Sequence, residues 1–264
     1  MSSNVHATAI VSENVKLGDD CKIGAYAILE GNISLGNNCI VEPHAVLKGR
    51  LEAGDENHFF QFSSIGESPQ DVSYKGEDTY VRIGDRNVFR EYVSVHRGTL
   101  KQDGVTMIGH DNLLMAHTHV GHDSRIGNNC IIVNSANIAG HVVVRDRVIL
   151  SGACAISQFV TVGKGAYVGG SSTIDRDIPS FCTALGNRAK IKGINIIGLR
   201  RQGFSREIIA EAVEFLRAIE SSAFSARSFV ENEQEMAAFK INEVIEKITE
   251  DIMNSKVGIA AFSS

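Results

Sequence analysis

Residues 5–47 read VHATAIVSENVKLGDDCKIGAYAILEGNISLGNNCIVEPHAVL, and positions 5, 11, 17, 23, 29, 35, 41 and 47 within them are Val, Val, Leu, Ile, Leu, Leu, Val and Leu. No polar residue falls on this six-residue beat. It continues through Ala53, Phe59 and Ile65, then Ile83, Phe89 and Val95, slips by one residue before Ile108, and runs on from Leu114 through Val120, Ile126 and Ile132 to Ile174. A hexapeptide period is the sequence signature of a parallel β-helix. Each repeat supplies a short strand and a turn, three repeats close a triangular coil, and successive coils stack about 4.8 Å apart with their backbone groups paired along the axis.

The fourth residue after the aliphatic position is mostly small and apolar (Ala9, Cys21, Ala27, Cys39, Ala45, Cys130, Ala136, Cys154 and Ala166), which marks a second inward slot. Four of the 5 cysteines therefore read as small core residues; Cys182 lies outside the beat. An odd cysteine count, no signal segment and no apolar run long enough to span a bilayer lead to the expectation of a soluble protein in a reducing compartment, the cytoplasm. A net charge of −5 excludes a general polyanion-binding surface, so nucleic acid is not an expected partner.

From about residue 190 the beat stops and helical spacing begins. Ser205 is a candidate N-cap for a helix burying Ile208, Ala212, Phe215, Leu216 and Ile219, and a second helix would bury Ile241, Ile245, Ile248 and Ile252. The chain thus divides into a β-helix at 1–189 and a helical domain at 190–264. Segments 67–80 and 97–106 break the repeat and read as loops leaving the solenoid, where function is commonly displayed.

Residues eighteen apart share a place on neighbouring coils, so His122 stacks with Gly140 and Gln158, Asp123 with His141 and Phe159, and His119 with Asn137. An imidazole suits general-base work, an adjacent carboxylate can orient it, and a glycine N–H can stabilise an oxyanion. Together these groups form an acyl-transfer kit. No Ser or Cys stands beside the base as a nucleophile, which favours direct attack by the acceptor over a covalent acyl-enzyme. Against this, solenoid turns are ordinarily polar, and any one of these residues alone is adequately explained as a turn residue. A metal site is a rival, because three of His117, His119, His122 and His141 could ligate zinc as in the γ-type carbonic anhydrases, which share the repeat.

The segments SIGESPQD (64–71), IGDRNVFREYVSVHRGT (83–99), DNLLM followed by HVGHD (111–123), AGHV (139–142), SQF (157–159) and GLRRQGFSRE (198–207) resemble the bacterial UDP-N-acetylglucosamine acyltransferases, which begin lipid A synthesis. The likeness spans nearly the whole chain. It implies a homotrimer of left-handed β-helices with active sites between subunits. It also implies transfer of a 3-hydroxyacyl chain from the phosphopantetheine of acyl carrier protein to the 3-hydroxyl of a UDP-sugar, with no further cofactor and no metal. By the same resemblance His122 is the general base, Asp123 its orienting carboxylate and Gly140 the backbone donor to the thioester oxygen. Gln70, Asp71, His119, His141 and Gln158 surround the sugar, Asn195 and Arg201 contact the nucleotide, and Gly170 helps to set acyl-chain length.

Three positions depart from the family pattern: Ser73 where many members carry Lys, Ser157 where many carry His, and Ile197 where an acid is frequent. All lie on the acceptor side, so the alternatives are N-acylation of a 3-amino sugar analogue, with Lys75 as a substitute for the missing lysine, or, more remotely, a non-catalytic scaffold. The basic run Arg188, Lys190, Lys192, Arg200, Arg201 and Arg206 contains no intervening acid and would suit an acidic carrier protein.

Overall fold

The computed structural model describes residues 3–263. The aliphatic beat occupies the inward position of very short strands, such as Leu113–Leu114, His119–Val120 and Ile131–Ile132. Leu114, Val120, Ile132 and Ile138 are fully buried. Each strand pairs in parallel with its counterpart one coil away, His119 with Asn137 and Ile131 with Ile149, which is the eighteen-residue offset of the sequence pattern. One face is an 11-stranded sheet; the other two merge into a 15-stranded sheet because the long strands Ile28–Leu35 and Val46–Ala53 run unbroken round a corner.

The remaining corners are made by residues in the left-handed region, a conformation that costs most L-residues energy and that Asn, Asp and His tolerate best. Along one corner stand His44, Phe62, Tyr92 and His117, and along another Asp123, His141 and Phe159, all with φ between 61 and 67° except Tyr92 at 60°. The cost is offset between coils, where the N–H of several such residues reaches the next coil: His141 donates to His122 O at 2.9 Å, His117 to Glu91 O at 3.0 Å and His44 to Ala25 O at 3.1 Å.

Two insertions interrupt the stacking. Ser64 pairs with Ser94 and Ser94 with His119, offsets of 30 and 25 residues in place of eighteen. The second excess is one longer than a repeat, which accounts for the slip in the beat.

The second inward slot is not uniformly apolar. Across three central coils it holds Asn57, Asn87 and Asn112, all buried. Asn87 Nδ2 donates to Asn57 Oδ1 at 3.0 Å and to Gly109 O at 2.9 Å, while Asn87 Oδ1 accepts from the backbone N and Nδ2 of Asn112 at 3.0 and 2.9 Å. An amide carries both donor and acceptor, so stacked copies satisfy one another and the turn carbonyls, whereas a thiol does little of this.

The solenoid ends where Lys190–Ile194 turns back antiparallel to Cys182–Leu185, with Cys182 buried. Five helices follow: α1 (Ile196–Arg201), α2 (Arg206–Ser221), α3 (Ala226–Glu231), α4 (Glu233–Met236) and α5 (Glu243–Asn254). Ser205 caps α2 by accepting from Ile208 N, and Ile209, Ala212, Phe215, Leu216 and Ile219 form its buried face. Asn242 caps α5 through the N–H groups of Val244 and Ile245, so Ile241 lies outside that helix and is 50% exposed; Val244 takes its place beside Ile245, Ile248 and Ile252. No helix among the described residues is long and apolar enough to cross a membrane.

Replacing Asn87 with Ala removes the donor for Gly109 O and the acceptor for Asn112 in a dry corner. Unsatisfied buried groups cost about 1–3 kcal/mol each. Urea denaturation is expected to show Asn87→Ala destabilised by about 2–4 kcal/mol, and a loss under 1 kcal/mol would show that the ladder is dispensable.

Candidate active site

Three successive turns of one corner carry the cluster. His122 and Asp123 follow the strand His119–Val120, Gly140 and His141 follow Asn137–Ile138, and Gln158 and Phe159 follow Ala155–Ile156. They border a cleft of about 360 Å³ whose lining includes Gln70, His96, His119, His122, Gly140 and Gln158. A larger groove of about 620 Å³ runs past Met107 and Val143 on a different face. Its Arg82 pairs with Glu52 and its His110 with Asp85, whereas among the described residues Lys164 has no ion-pair partner and the groove contains no histidine paired with a buried carboxylate.

His122 Nδ1 lies 2.8 Å from Asp123 Oδ2, and both residues are buried. With Nδ1–H donating to the carboxylate, Nε2 is left as a proton acceptor. Asp123 is held in turn by Thr99, whose backbone N–H donates to Oδ1 at 2.8 Å and whose hydroxyl donates to Oδ2 at 2.7 Å, and Asp123 N donates to Thr106 Oγ1. His141 stacks on Phe159 at 4.7 Å, stands perpendicular to the His122 ring at 5.1 Å, and pairs through Nδ1 with Gln102 Oε1 at 3.0 Å.

Gly140 is required by close approach. A Cβ there would lie 2.6–3.0 Å from three atoms of the His122 ring. Its own N–H has no hydrogen-bond partner among the described residues, so it remains available beside the His122 ring.

The other imidazoles in or next to the cleft favour the neutral form. Burial pushes the pKa values of His119 and His141 down, and that of His96 down to about 4. His119 is fixed by Ser94 Oγ, 2.8 Å from its Nδ1. His117 is not part of this group; it stacks on Tyr92 at 4.8 Å on a different corner. The set that converges is His122, Asp123 and His141, with ligating atoms within 4.8 Å of one another. As a metal cradle it is poor: Asp123 is already filled by two bonds from Thr99 and one from His122, and among the described residues no third histidine converges with His122 and His141.

Comparison with known proteins decides the family. Residues 177–260 match a family model described as UDP N-acetylglucosamine O-acyltransferase, domain 2, and residues 6–49 and 106–140 match the bacterial transferase hexapeptide model. An acyl-[acyl-carrier-protein]--UDP-N-acetylglucosamine O-acyltransferase from Aliarcobacter butzleri is 45% identical over 97% of this chain and 98% of its own. The chain belongs to the UDP-N-acetylglucosamine O-acyltransferase family. The solved UDP-N-acetylglucosamine acyltransferase of Bacteroides fragilis superposes with a TM-score of 0.93 at 34% identity, covering 97% of this chain and 99% of that one. The enzyme from Campylobacter jejuni gives 0.90 at 33%, covering 98% and 100%.

Within this acyltransferase fold, the two insertions grip the cluster. Besides Thr99 and Gln102, Lys101 Nζ reaches Asp71 Oδ2 at 2.6 Å, and Ser73 donates its N–H and hydroxyl to Asp71 Oδ1 at 2.8 and 2.7 Å. Lys101 holds the Asp71 carboxyl well below the usual carboxylate range. The amine that pairs with Asp71 is that of Lys101, from the other insertion, while the backbone N–H of Lys75 donates to Glu77 Oε2. Asn195, Arg201 and Gly170 do not line the cleft of their own chain. Asn195 caps α1 and binds Gly165 O, Arg201 ends α1 at the surface, and a Cβ on Gly170 would meet only Gly152 O at 3.4 Å. Ser157 and Ile197 are exposed.

Two outcomes follow from these contacts. Thr99→Val removes a hydroxyl donor to a buried carboxylate and is expected to cost about 1.5–3 kcal/mol of unfolding free energy. As pH falls from 7 to 5, unfolded imidazoles take up protons that His96 refuses, and that His119 and His141 bind less readily, while folded, so the unfolded state binds more protons and stability falls. Calorimetry should give a lower Tm at pH 5 than at pH 7; an unchanged Tm would contradict the burial-driven shifts.

Proposed function

We propose that this protein transfers an (R)-3-hydroxyacyl chain from acyl carrier protein to the 3-hydroxyl of UDP-N-acetylglucosamine, the first step of lipid A synthesis, in the cytoplasm. The observation that carries this reading is the buried His122–Asp123 pair beside the free N–H of Gly140. His122 Nε2 removes the proton of the acceptor hydroxyl, and the oxygen attacks the thioester carbonyl. Gly140 N–H receives the developing oxyanion, and collapse breaks the C–S bond. The proton held by His122 then passes to the departing phosphopantetheine thiol. Asp123 keeps the imidazole in the right tautomer and stabilises the imidazolium between the two transfers. Neither a further cofactor nor a resident metal takes part in this scheme.

We assign His119, His141, Gln158, Gln70 and Asp71 to the acceptor sugar, of which all but His141 and Asp71 line the cleft. Asn195 and Arg201 are assigned to the nucleotide and Gly170 to the end of the acyl slot. As these three stand away from the cleft of their own chain, the reading makes the site intersubunit, in a trimer of left-handed helices. The division into a β-helix at 1–189 and a helical domain at 190–264 belongs to the same reading.

Support for the trimer comes from an edge of the solenoid. Tyr26, His44, Phe62, Tyr92 and His117 stack at ring separations of 4.8–5.4 Å, and Tyr26, Phe62 and Tyr92 are about half exposed in one chain. A continuous exposed apolar ridge marks an interaction surface. The basic residues Lys190, Lys192, Arg200, Arg201 and Arg206 are all exposed and suit an acidic carrier protein, whereas Arg188 pairs with Asp175.

Mass spectrometry of reactions containing UDP-N-acetylglucosamine, its 3-amino analogue and 3-hydroxyacyl carrier proteins of several chain lengths tests the chemistry. Acylated UDP-N-acetylglucosamine is expected, and His122→Ala should lower kcat by about 100- to 10,000-fold. Product from the 3-amino sugar alone would reassign the acceptor, and none from either would remove the reading. Light scattering of Tyr92→Glu is expected to show monomer where the wild type is trimeric; a trimeric variant would move the interface elsewhere.

A further inference from the structure

Asp71 follows Gln70, which lines the cleft, and its side chain is only 8% exposed. Both of its oxygens are taken. Oδ1 accepts the N–H and the hydroxyl of Ser73, and Oδ2 accepts the ammonium of Lys101, which reaches across from the other insertion and is itself half exposed. The pair stands close enough to the cluster for both charges to act on His141, in opposite senses. Bracing alone does not account for Lys101. Arg97 already joins the insertions, its Nη2 donating to Ser68 Oγ at 3.1 Å and to Tyr74 Oη at 3.2 Å. Thr99 and Gln102 secure Asp123 and His141 through bonds of their own, and Ser73 orients the Asp71 carboxylate from within its own loop. What Lys101 alone changes is charge.

Resting on the acyl-transfer reading, we propose that Lys101 determines acceptor specificity: by filling Asp71 Oδ2 and cancelling its charge, it makes the site take a sugar with an uncharged 3-hydroxyl and reject one with a 3-ammonium group. An amine on a sugar ring, like an α-amino group, is largely protonated at pH 7. Enclosing that ammonium without a counter-charge is costly, whereas a hydroxyl needs only a hydrogen bond. Among the described residues no acid lines the cleft, and Asp123, the carboxylate of the cluster, is filled by Thr99 and His122. Asp71 is therefore the group that could hold a cation beside the acceptor, and an ammonium from this chain already occupies it. Ser73 makes the device separable. Removing Lys101 frees Oδ2 while Oδ1 stays anchored, so the carboxylate keeps its place and regains its charge.

The test separates specificity from bracing. Lys101→Met keeps the unbranched stem without the charge, and Lys101→Arg keeps the charge. The probes are UDP-N-acetylglucosamine and its 3-amino analogue, and the readout is calorimetric Kd at pH 7 without donor, because transfer to nitrogen requires the neutral amine and would mix binding with protonation. The wild type is expected to bind the hydroxyl sugar more tightly. In Lys101→Met the ratio of the two Kd values is expected to move about tenfold toward the amino sugar, the scale of one charge-assisted hydrogen bond, while Lys101→Arg holds the wild-type ratio. The Tm of Lys101→Met should stay near that of the wild type, since a half-exposed ammonium contributes little to stability. An unchanged ratio in Lys101→Met overturns the proposal, and if both Kd values rise together the residue only braces the loops. A wild type that prefers the amino sugar overturns it too, as does a ratio that moves as far in Lys101→Arg as in Lys101→Met. Wild-type binding without turnover would remove the transfer reading and leave the Kd ratio to decide Lys101; no binding of either sugar by the wild type overturns both.

Discussion

Hydrogen bonding between coils fixes everything else in this molecule. Many left-handed corner residues give their N–H to the coil beside them, as His141 does to His122 O, and this sets the coil spacing at a corner that side chains alone could not hold. Once that spacing is fixed, equivalent positions on neighbouring coils lie in contact. The His122 ring packs on the Gly140 backbone so closely that no Cβ fits between them, and His141 stacks on Phe159. His122 and the Gly140 N–H are juxtaposed by the same ladder that stabilises the solenoid, which makes their spacing as rigid as the sheet.

A perfect repeat would still leave the cluster open to water and poorly braced. The two insertions change this. Thr99 satisfies the Asp123 carboxylate, Gln102 holds His141, and Lys101 joins the Asp71 loop, so three residues within four of one insertion each secure a different part of the cluster. The bond from Lys101 spans the two loops and ties the Asp71 loop to the segment that braces Asp123. A single substitution at position 73 is thereby tolerable: Ser73 fills one Asp71 oxygen while a lysine from another segment fills the other.

This division explains what was legible in the amino-acid sequence. Wherever the offset is eighteen, arithmetic suffices: the pairing of His119 with Asn137 and the juxtaposition of His122 with Gly140 are both visible in the pattern. Where insertions change the offset to 25 or 30, arithmetic fails, and so Thr99 beneath Asp123 and His96 beside His119 escape it. The asparagine ladder was hidden for a different reason. The second inward slot is mostly small and apolar in the sequence, but turn carbonyls facing it reward an amide with matched donors. Helical spacing alone overextended the last helix to Ile241, because the capping oxygen of Asn242 and not apolar periodicity sets its start.

The neutral histidines bear on the charge cycle of the proposed reaction. When His122 takes a proton, an imidazolium forms with the His141 ring centre 5.1 Å away. A second positive charge at that distance would oppose it by about 3 kcal/mol at an effective dielectric constant near 20. That corresponds to roughly two orders of magnitude in the equilibrium for protonation. Burial lowers the pKa values of His96, His119 and His141, so none of them supplies that charge at pH 7. The carboxylate of Asp123 is then the nearest full charge the imidazolium meets, and it is favourable. The desolvation that weakens the folded state in acid is the same property that leaves one imidazole free to carry the proton.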